Sequence, residues 1–312
     1  MSLTYRKPQL TLKLLILLLI LPIVPCHAYQ KPSRVFASPD EAGSALLTAA
    51  KSRDVDALMT IFGPNSKELI LSGDPVQDKY TADSFVKEYG VMHRWRAMPD
   101  GDQMLLIGAD NFQFPIPLKK DSDGGWFFDT DAGREEVLNR RIGRNELAII
   151  NACQAAAAAE ADYFNHLHDG EKVKQYASKF ISDPDKQNGL YWKPVNGRPA
   201  SPLGPLAAAA SSDGYVAHAT GHTAFHGYYF HMLKGQTDKA PGGAKEYAVD
   251  GKMTGGYAFV AYPAEYGNSG VMTFIINQDG VLLQKDLGQS TVEIASSMTE
   301  FDPDSDWTIV EP

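Results

Sequence analysis

The sequence predicts an α+β protein, with N-terminal helices and a curved antiparallel sheet followed by a long helix packed on an antiparallel meander sheet. Apolar residues recur at helical spacing in residues 38–89, and short strand-like runs separated by turns follow in residues 92–129. Residues 255–288 contain three apolar, β-branched and aromatic runs between glycine-rich turns, which is the pattern of a meander. Because helices and antiparallel strands occupy separate blocks of the chain, the α+β class follows.

Three helices are expected before the first strands. Ser38, Pro39 and Glu41 mark the first one, since Ser38 is a suitable cap, Pro39 suits the first turn and Glu41 completes a capping box. The second is expected at residues 54–62 and the third at residues 81–89. The strands of the first sheet are expected at residues 92–98, 103–108, 112–118 and 126–129.

A long helix is expected over residues 134–167, because apolar side chains recur there at a spacing near 3.6 residues. The stripe consists of Leu138, Ile142, Ile149, Cys153, Ala157 and Phe164. Gly143 is a position where this helix can bend. The composition changes at residues 129–134, which predicts two domains, residues 29–132 and residues 133–312.

Shorter elements are expected after the long helix. The pattern predicts a helix at residues 171–180 and an irregular, proline-rich segment at residues 182–214. Residues 225–234 are expected to form a strand that precedes the meander. A last helix is expected at residues 291–298 and a last edge strand at residues 308–310.

Residues 1–28 have the pattern of a secretory signal peptide, with a cationic stretch before the apolar residues 14–24 and a small residue, Ala28, at the cleavage position. The expected location is therefore periplasmic or extracellular, with membrane contact only through this segment if it stays uncleaved. Lipidation at Cys26 and a retained anchor are the alternatives. After cleavage Cys153 is the remaining cysteine, so no intramolecular disulfide forms, and a buried small side chain is its simplest interpretation.

The charge balance of the chain narrows the classes of partner. The 312 residues include 38 acidic and 29 basic side chains, which gives a formal net charge of −9. A general nucleic-acid binder needs a basic face for phosphates, so this class is disfavoured. Docking on anionic lipid is disfavoured for the same reason.

Seven short motifs occur in order between residues 140 and 288. They are RRIGRNELA (140–148), GLYW (189–192), SPLGP (201–205), GYYF (227–230), APGGA (240–244), AYPAEYGNSGVMTFIIN (261–277) and KDLG (285–288). This set resembles the bacterial family called domain of unknown function 2950, DUF2950. The resemblance implies an exported bacterial protein and supplies no catalytic residues.

Two further resemblances concern the fold alone. The N-terminal helices and strands resemble nuclear-transport-factor-2-like folds, in which helices line one side of a curved sheet. The long helix followed by an irregular loop and a meander resembles the globular part of type IV pilins and pseudopilins. The chain lacks a prepilin-type cleavage site followed by an apolar helix, so the resemblance implies no pilin-like polymerisation.

Four histidines form the candidate metal site. His218, His222, His226 and His231 are spaced by four, four and five residues, and on a helix the first three would share one face, as in zinc sites. The glycines and aromatic residues around them favour a loop and a strand instead, where alternate residues face opposite sides. Ordinary surface or packed histidines are therefore the simpler interpretation.

Aromatic side chains beside glycine- and proline-rich loops form the candidate ligand-binding surface, a shelf for sugar or peptide. The candidates are Tyr191, Trp192, His226, Tyr228 and Tyr266. Packing in the core is the competing interpretation. Asp302, Asp304 and Asp306 resemble the start of a calcium loop, but the glycine and distal glutamate of such loops are missing, so a solvated turn is favoured.

These observations favour a non-catalytic protein of the cell envelope that binds another protein or a cell-surface polymer. No catalytic residue and no cofactor is assigned, and a non-enzyme is favoured. The first alternative is a metal-dependent hydrolase that uses the four histidines, and the second is a pseudopilus- or secretion-associated accessory component.

Overall fold

Helices and antiparallel strands occupy separate blocks of the chain in the computed structural model, which describes residues 33–216 and 224–311. The helices are α1 Pro39–Ser52, α2 Val55–Phe62, α3 Lys67–Ile70, α4 Pro75–Val91, α5 Thr130–Asn165, α6 Gly204–Asp213 and α7 Thr291–Ser297. The strands are β1 His93–Ala97, β2 Gln103–Ile107, β3 Phe112–Gln113, β4 Leu118–Lys120, β5 Trp126–Phe128, β6 Tyr228–Leu233, β7 Gly235–Gln236, β8 Lys245–Glu246, β9 Ala258–Pro263, β10 Met272–Asn277, β11 Leu283–Asp286, β12 Glu300–Phe301 and β13 Thr308–Ile309. The predicted α+β class is confirmed.

The N-terminal part packs helices on an antiparallel sheet of order β1-β2-β4-β5, with β3 paired to β2. Its core contains Leu46 from α1, Phe62 from α2 and Phe128 from β5, and the rings of Phe62 and Phe128 meet edge to face at 5.3 Å. The predicted helices are present, although α4 starts six residues earlier than expected. The reason is Asp74, whose carboxylate accepts hydrogen bonds from the first backbone amides of α4 and caps it there.

The long helix α5 has 36 residues and is about 54 Å long at 1.5 Å per residue. Its buried face includes Ile149 and Cys153, both fully buried as the stripe predicts. The same face also buries the polar residues Arg141, Asn145 and Glu160, which apolar periodicity does not reveal.

The second sheet has the order β13-β11-β10-β9-β6 and is antiparallel throughout, which confirms the predicted meander. Alternate residues of its central strands enter two separate cores. Phe259 and Phe274 pack with α5, whereas Val260 and Ile275 pack with Ala295 of α7 on the opposite side. Both faces of the central strands are therefore covered, and a small sheet of order β12-β7-β8 lies beside them.

Two expectations about the chain after α5 are wrong. Residues 171–180 form no helix, because the backbone amide of Ala177 donates to the Glu160 carboxylate and that of Tyr176 donates to the carbonyl of Met253. These partners replace helical hydrogen bonds. The segment expected to be irregular contains α6, which has proline in its first turn and ends at Gly214, where φ is 105°.

One side chain of α5 joins the two parts of the chain. Arg141 donates to the carbonyls of Glu68 at 2.8 Å and Leu69 at 2.6 Å, and also to the side chain of Asn268 in the loop after β9. The residues that the structure describes form one compact unit by their contacts, and the domain boundary at residues 132 and 133 stays a prediction. Within the described part of the chain, no helix combines the length and apolarity needed to cross a membrane.

Candidate functional site

A surface cleft lies between the end of the second sheet, α7 and the C-terminal segment, and its volume is about 440 Å³. We call it the C-terminal cleft. It is lined by Ile275, Lys285, Asp286, Leu287, Ile294, Met298, Glu300, Asp302, Asp304 and Trp307. This volume falls within the range of roughly 300–1,000 Å³ that is common for ligand sites.

The secondary structure explains how apolar and charged groups come together here. Leu283 and Lys285 lie on the same side of β11 because side chains alternate along a strand. Leu283 packs into the core, and Lys285, whose side chain is only 19% exposed, extends toward the cleft. Ile294 from α7 and Met298 just after it add apolar surface, and Trp307 precedes β13.

Ion pairs hold the acidic C-terminal segment in place. The ammonium group of Lys285 lies 2.8 Å from the nearer oxygen of Asp304 and 3.5 Å from Asp306. Asp302 accepts a hydrogen bond of 2.6 Å from the hydroxyl of Thr237 and pairs with Lys239 at 3.0 Å. The three aspartates that resemble a calcium loop thus pair with lysines, and the side chain of Asp306 is 76% exposed.

These pairs shift the pKa values of the charged side chains in and beside the cleft. The Thr237 and Lys239 hydrogen bonds lower the pKa of Asp302, and the Lys285 hydrogen bond lowers the pKa of Asp304. The hydrogen bond from Lys285 to Asp304 also raises the pKa of Lys285. These groups are therefore charged at neutral pH.

Two further carboxylates of the cleft, Asp286 and Glu300, have no cation within 4 Å in the described residues 33–216 and 224–311. Asp286 accepts hydrogen bonds from the Tyr266 hydroxyl at 3.2 Å and from the backbone amide of Gly288 at 2.8 Å. The lining contains one lysine and four carboxylates, so its net charge is 1 − 4 = −3.

The predicted ligand-binding residues have different surroundings in the structure. Tyr266 borders the C-terminal cleft through its hydrogen bond to Asp286. Tyr228 and Trp192 are in the core against α5, where Tyr228 donates to the carbonyl of Met272 at 3.0 Å and Trp192 donates to that of Pro199 at 2.9 Å. The half-buried Tyr191 forms an isolated β-bridge with Ile181. Their role as a ligand shelf stays a prediction.

His226 belongs to a second polar cluster, together with Asp74, Gln77 and Tyr215. The Tyr215 hydroxyl donates to Asp74 at 2.7 Å and accepts from Gln77 and from the backbone amide of His226, both at 3.2 Å. The ring of His226 lies 3.0 Å from the Gln77 side-chain nitrogen, and its burial lowers its pKa. The cluster links the start of α4 to the start of β6, and its members form hydrogen bonds with one another.

The structure describes two of the four histidines of the candidate metal site, His226 and His231. His218 and His222 lie outside the described residues. His231 pairs with the Met298 carbonyl at 3.0 Å, and His226 contacts Gln77 and Tyr215, so these two histidines have different neighbours. In the part of the chain that the structure describes, no group of three or more histidine, cysteine, aspartate or glutamate side chains is arranged to hold a metal ion.

Sequence reasoning identifies Tyr266 and the three aspartates but misses Lys285, Asp286 and Trp307. The only signal in the sequence is the clustering of charged residues and one tryptophan near the C-terminus. The cleft forms only when α7 packs on the second sheet against β9, and local sequence patterns do not predict that arrangement.

The fold and the cleft define an α+β protein with an acidic, partly apolar surface site. A family model described as "Protein of unknown function (DUF2950)" matches residues 33–310, which are 278 of the 312 residues. The chain belongs to this family, as the seven motifs predict. No curated protein and no solved structure matches the chain, so the likeness to nuclear-transport-factor-2-like folds and to pilins stays a prediction.

Proposed function

We propose that this protein is an exported, non-catalytic binding protein of the cell envelope and that the C-terminal cleft is its binding site. The signal-like pattern of residues 1–28 supports export. The C-terminal cleft carries the binding part of the proposal, because its lining combines apolar side chains, a tryptophan and charged side chains. Tryptophan is enriched among the residues that dominate binding energy at interfaces.

A substitution that fills the cleft tests the binding site. Ile294 is 40% exposed and lines the cleft, whereas Val292 on the same helix is 39% exposed and does not line it. We expect Ile294→Trp to reduce retention of envelope components by the immobilised protein at least tenfold, while Val292→Trp binds as the unchanged protein does. Thermal unfolding of both variants verifies that they are folded. Equal retention by the two variants would show that the cleft is not the binding site.

Export is tested separately by cell fractionation and by the mass of the purified protein. We expect the protein in the exported fraction, with a mass that corresponds to cleavage after Ala28. Recovery of the full-length chain in the cytoplasm would contradict this part of the proposal.

A further inference from the structure

We propose that the C-terminal cleft binds an extended, basic segment of a partner protein in which a lysine or arginine lies beside aliphatic residues. This inference rests on the proposed function, since it names the ligand of the same site. Three features of the cleft carry it: an unbalanced negative charge, an apolar lining and an adjacent end strand of the second sheet.

The charge of the cleft is complementary to a cationic ligand. Lys285 is already engaged by Asp304 and Asp306, and Asp302 is paired with Lys239. Asp286 and Glu300 remain without a cation in the part of the chain that the structure describes. Both carboxylates are exposed, so a lysine or arginine from a partner can pair with them, and the planar guanidinium of arginine suits a carboxylate in particular.

The apolar lining of the cleft favours a cation at the end of an aliphatic side chain. Leu287, Ile294 and Met298 provide apolar surface. Trp307 provides an aromatic ring, and the Lys285 ammonium lies over one face of it, 6.0 Å from the centroid. Lysine and arginine bury their methylene groups on such surfaces while the charged end reaches polar groups, and both cations are attracted to aromatic faces. A small hydrated metal ion uses none of this surface, and an anionic polymer would meet a site of the same sign.

The edge of the second sheet favours an extended peptide over a free amine. β13 is the end strand of the sheet and directly follows Trp307, and Ile309 on it is 65% exposed. The amide of Val310 donates to the carbonyl of Leu282 at 3.0 Å, so the antiparallel alternation directs the amide and carbonyl of Ile309 away from β11. A peptide strand that pairs with this edge would run past the mouth of the cleft.

Three synthetic peptides of equal length and identical aliphatic residues test the ligand class. One carries lysine and arginine, one carries glutamine and one carries glutamate at the same positions. We expect the purified protein to bind the basic peptide at least tenfold more tightly than the neutral one and the acidic peptide least. Binding of the basic peptide should weaken as sodium chloride rises from about 0.05 M to about 0.5 M, since salt screens exposed charges.

The double variant Asp286→Asn/Glu300→Gln tests the two uncompensated carboxylates. We expect it to weaken binding of the basic peptide about tenfold and to leave the neutral peptide unaffected. The matched control is Asp110→Asn/Glu135→Gln, which removes the same charge from two exposed acids far along the chain and outside the cleft lining. Equal weakening by both double variants would overturn the inference, because the effect would then be that of net charge alone.

Two results separate this inference from the proposed function. If Ile294→Trp abolishes retention of envelope components but the basic peptide binds no better than the neutral one, the cleft is a binding site and the ligand class is wrong. Specific binding of a neutral cell-wall oligosaccharide in the cleft would likewise overturn the ligand class and leave the binding site in place. If Ile294→Trp leaves envelope retention unchanged, the proposed function itself fails.

Discussion

Glu160 is a buried carboxyl group in the core between α5 and the second sheet. One of its oxygens accepts a hydrogen bond of 2.9 Å from the amide of Ala177, and the other has no partner in the described part of the chain. Burial raises the pKa of Glu160 from 4.5 to about 8. Between these two values the folded protein holds a proton that the unfolded chain has released, so stability falls as the pH rises from 4.5 to about 8.

The substitution Glu160→Gln should remove this pH dependence, because glutamine resembles the protonated acid. The free energy of unfolding of the unchanged protein is expected to fall between about pH 5 and about pH 8 by up to about 1.4 kcal/mol per pH unit from this group. The variant should show a flatter profile in urea unfolding at several pH values. Glu135→Gln, at an exposed position of the same helix, is the control. Parallel profiles for Glu160→Gln and the unchanged protein would contradict the assignment.

At the scale of elements, α5 shows two glycines with opposite roles. A Cβ on Gly133 would lie 2.7 Å from the Cα of Ile116, so only glycine lets α5 approach the chain before β4. A Cβ on Gly143 would meet nothing within 4 Å, although glycine inside a helix costs roughly 1 kcal/mol relative to alanine.

We therefore expect Gly133→Ala to lower the free energy of unfolding by about 1–3 kcal/mol, as overpacking does. Gly143→Ala should raise it by about 0.5–1 kcal/mol. Chemical denaturation of both variants measures these two changes in the free energy of unfolding. A loss of stability in Gly143→Ala would mean that the helix needs this glycine for a bend, as the sequence suggests.

The elements that the sequence predicts well are those whose structure depends on residues close to one another in the sequence. The meander is found because its strands are apolar runs separated by glycine-rich turns, and α5 is found because of its apolar stripe. The helix predicted at residues 171–180 is wrong because the hydrogen-bond partners of this segment, such as Glu160, are distant in sequence. The C-terminal cleft escapes prediction for the same reason: its lining runs from Ile275 to Trp307 and comes together only after α7 packs on the sheet.

At the scale of the whole molecule, the two parts of the chain are joined through buried polar contacts on α5. Arg141 donates to two backbone carbonyls of the N-terminal part and to Asn268 of the C-terminal part. Asn145 adds a hydrogen bond of 2.8 Å to the carbonyl of Ser269. Burial lowers the pKa of Arg141, but an arginine remains charged. Its hydrogen bonds to these acceptors therefore compensate for the hydration that the guanidinium loses on burial.

Replacing Arg141 by methionine should weaken the coupling of the two parts, because it leaves the carbonyls of Glu68 and Leu69 without that donor and removes the link to Asn268. The hydrogen bonds of Asp74 to Tyr215 and Gly227 still join them. Native-state hydrogen exchange measures this as the opening free energy of the amides in β2 and in β10. In the unchanged protein the slowest amides of both strands should open with the same free energy, as in one cooperative unit. In Arg141→Met the value for β2 should fall below that for β10 by about 1–3 kcal/mol. Arg144→Met, at an exposed position one turn along α5, is the control and should preserve the agreement. An equal decrease in both strands would show that Arg141 stabilises the protein as a whole without coupling its parts.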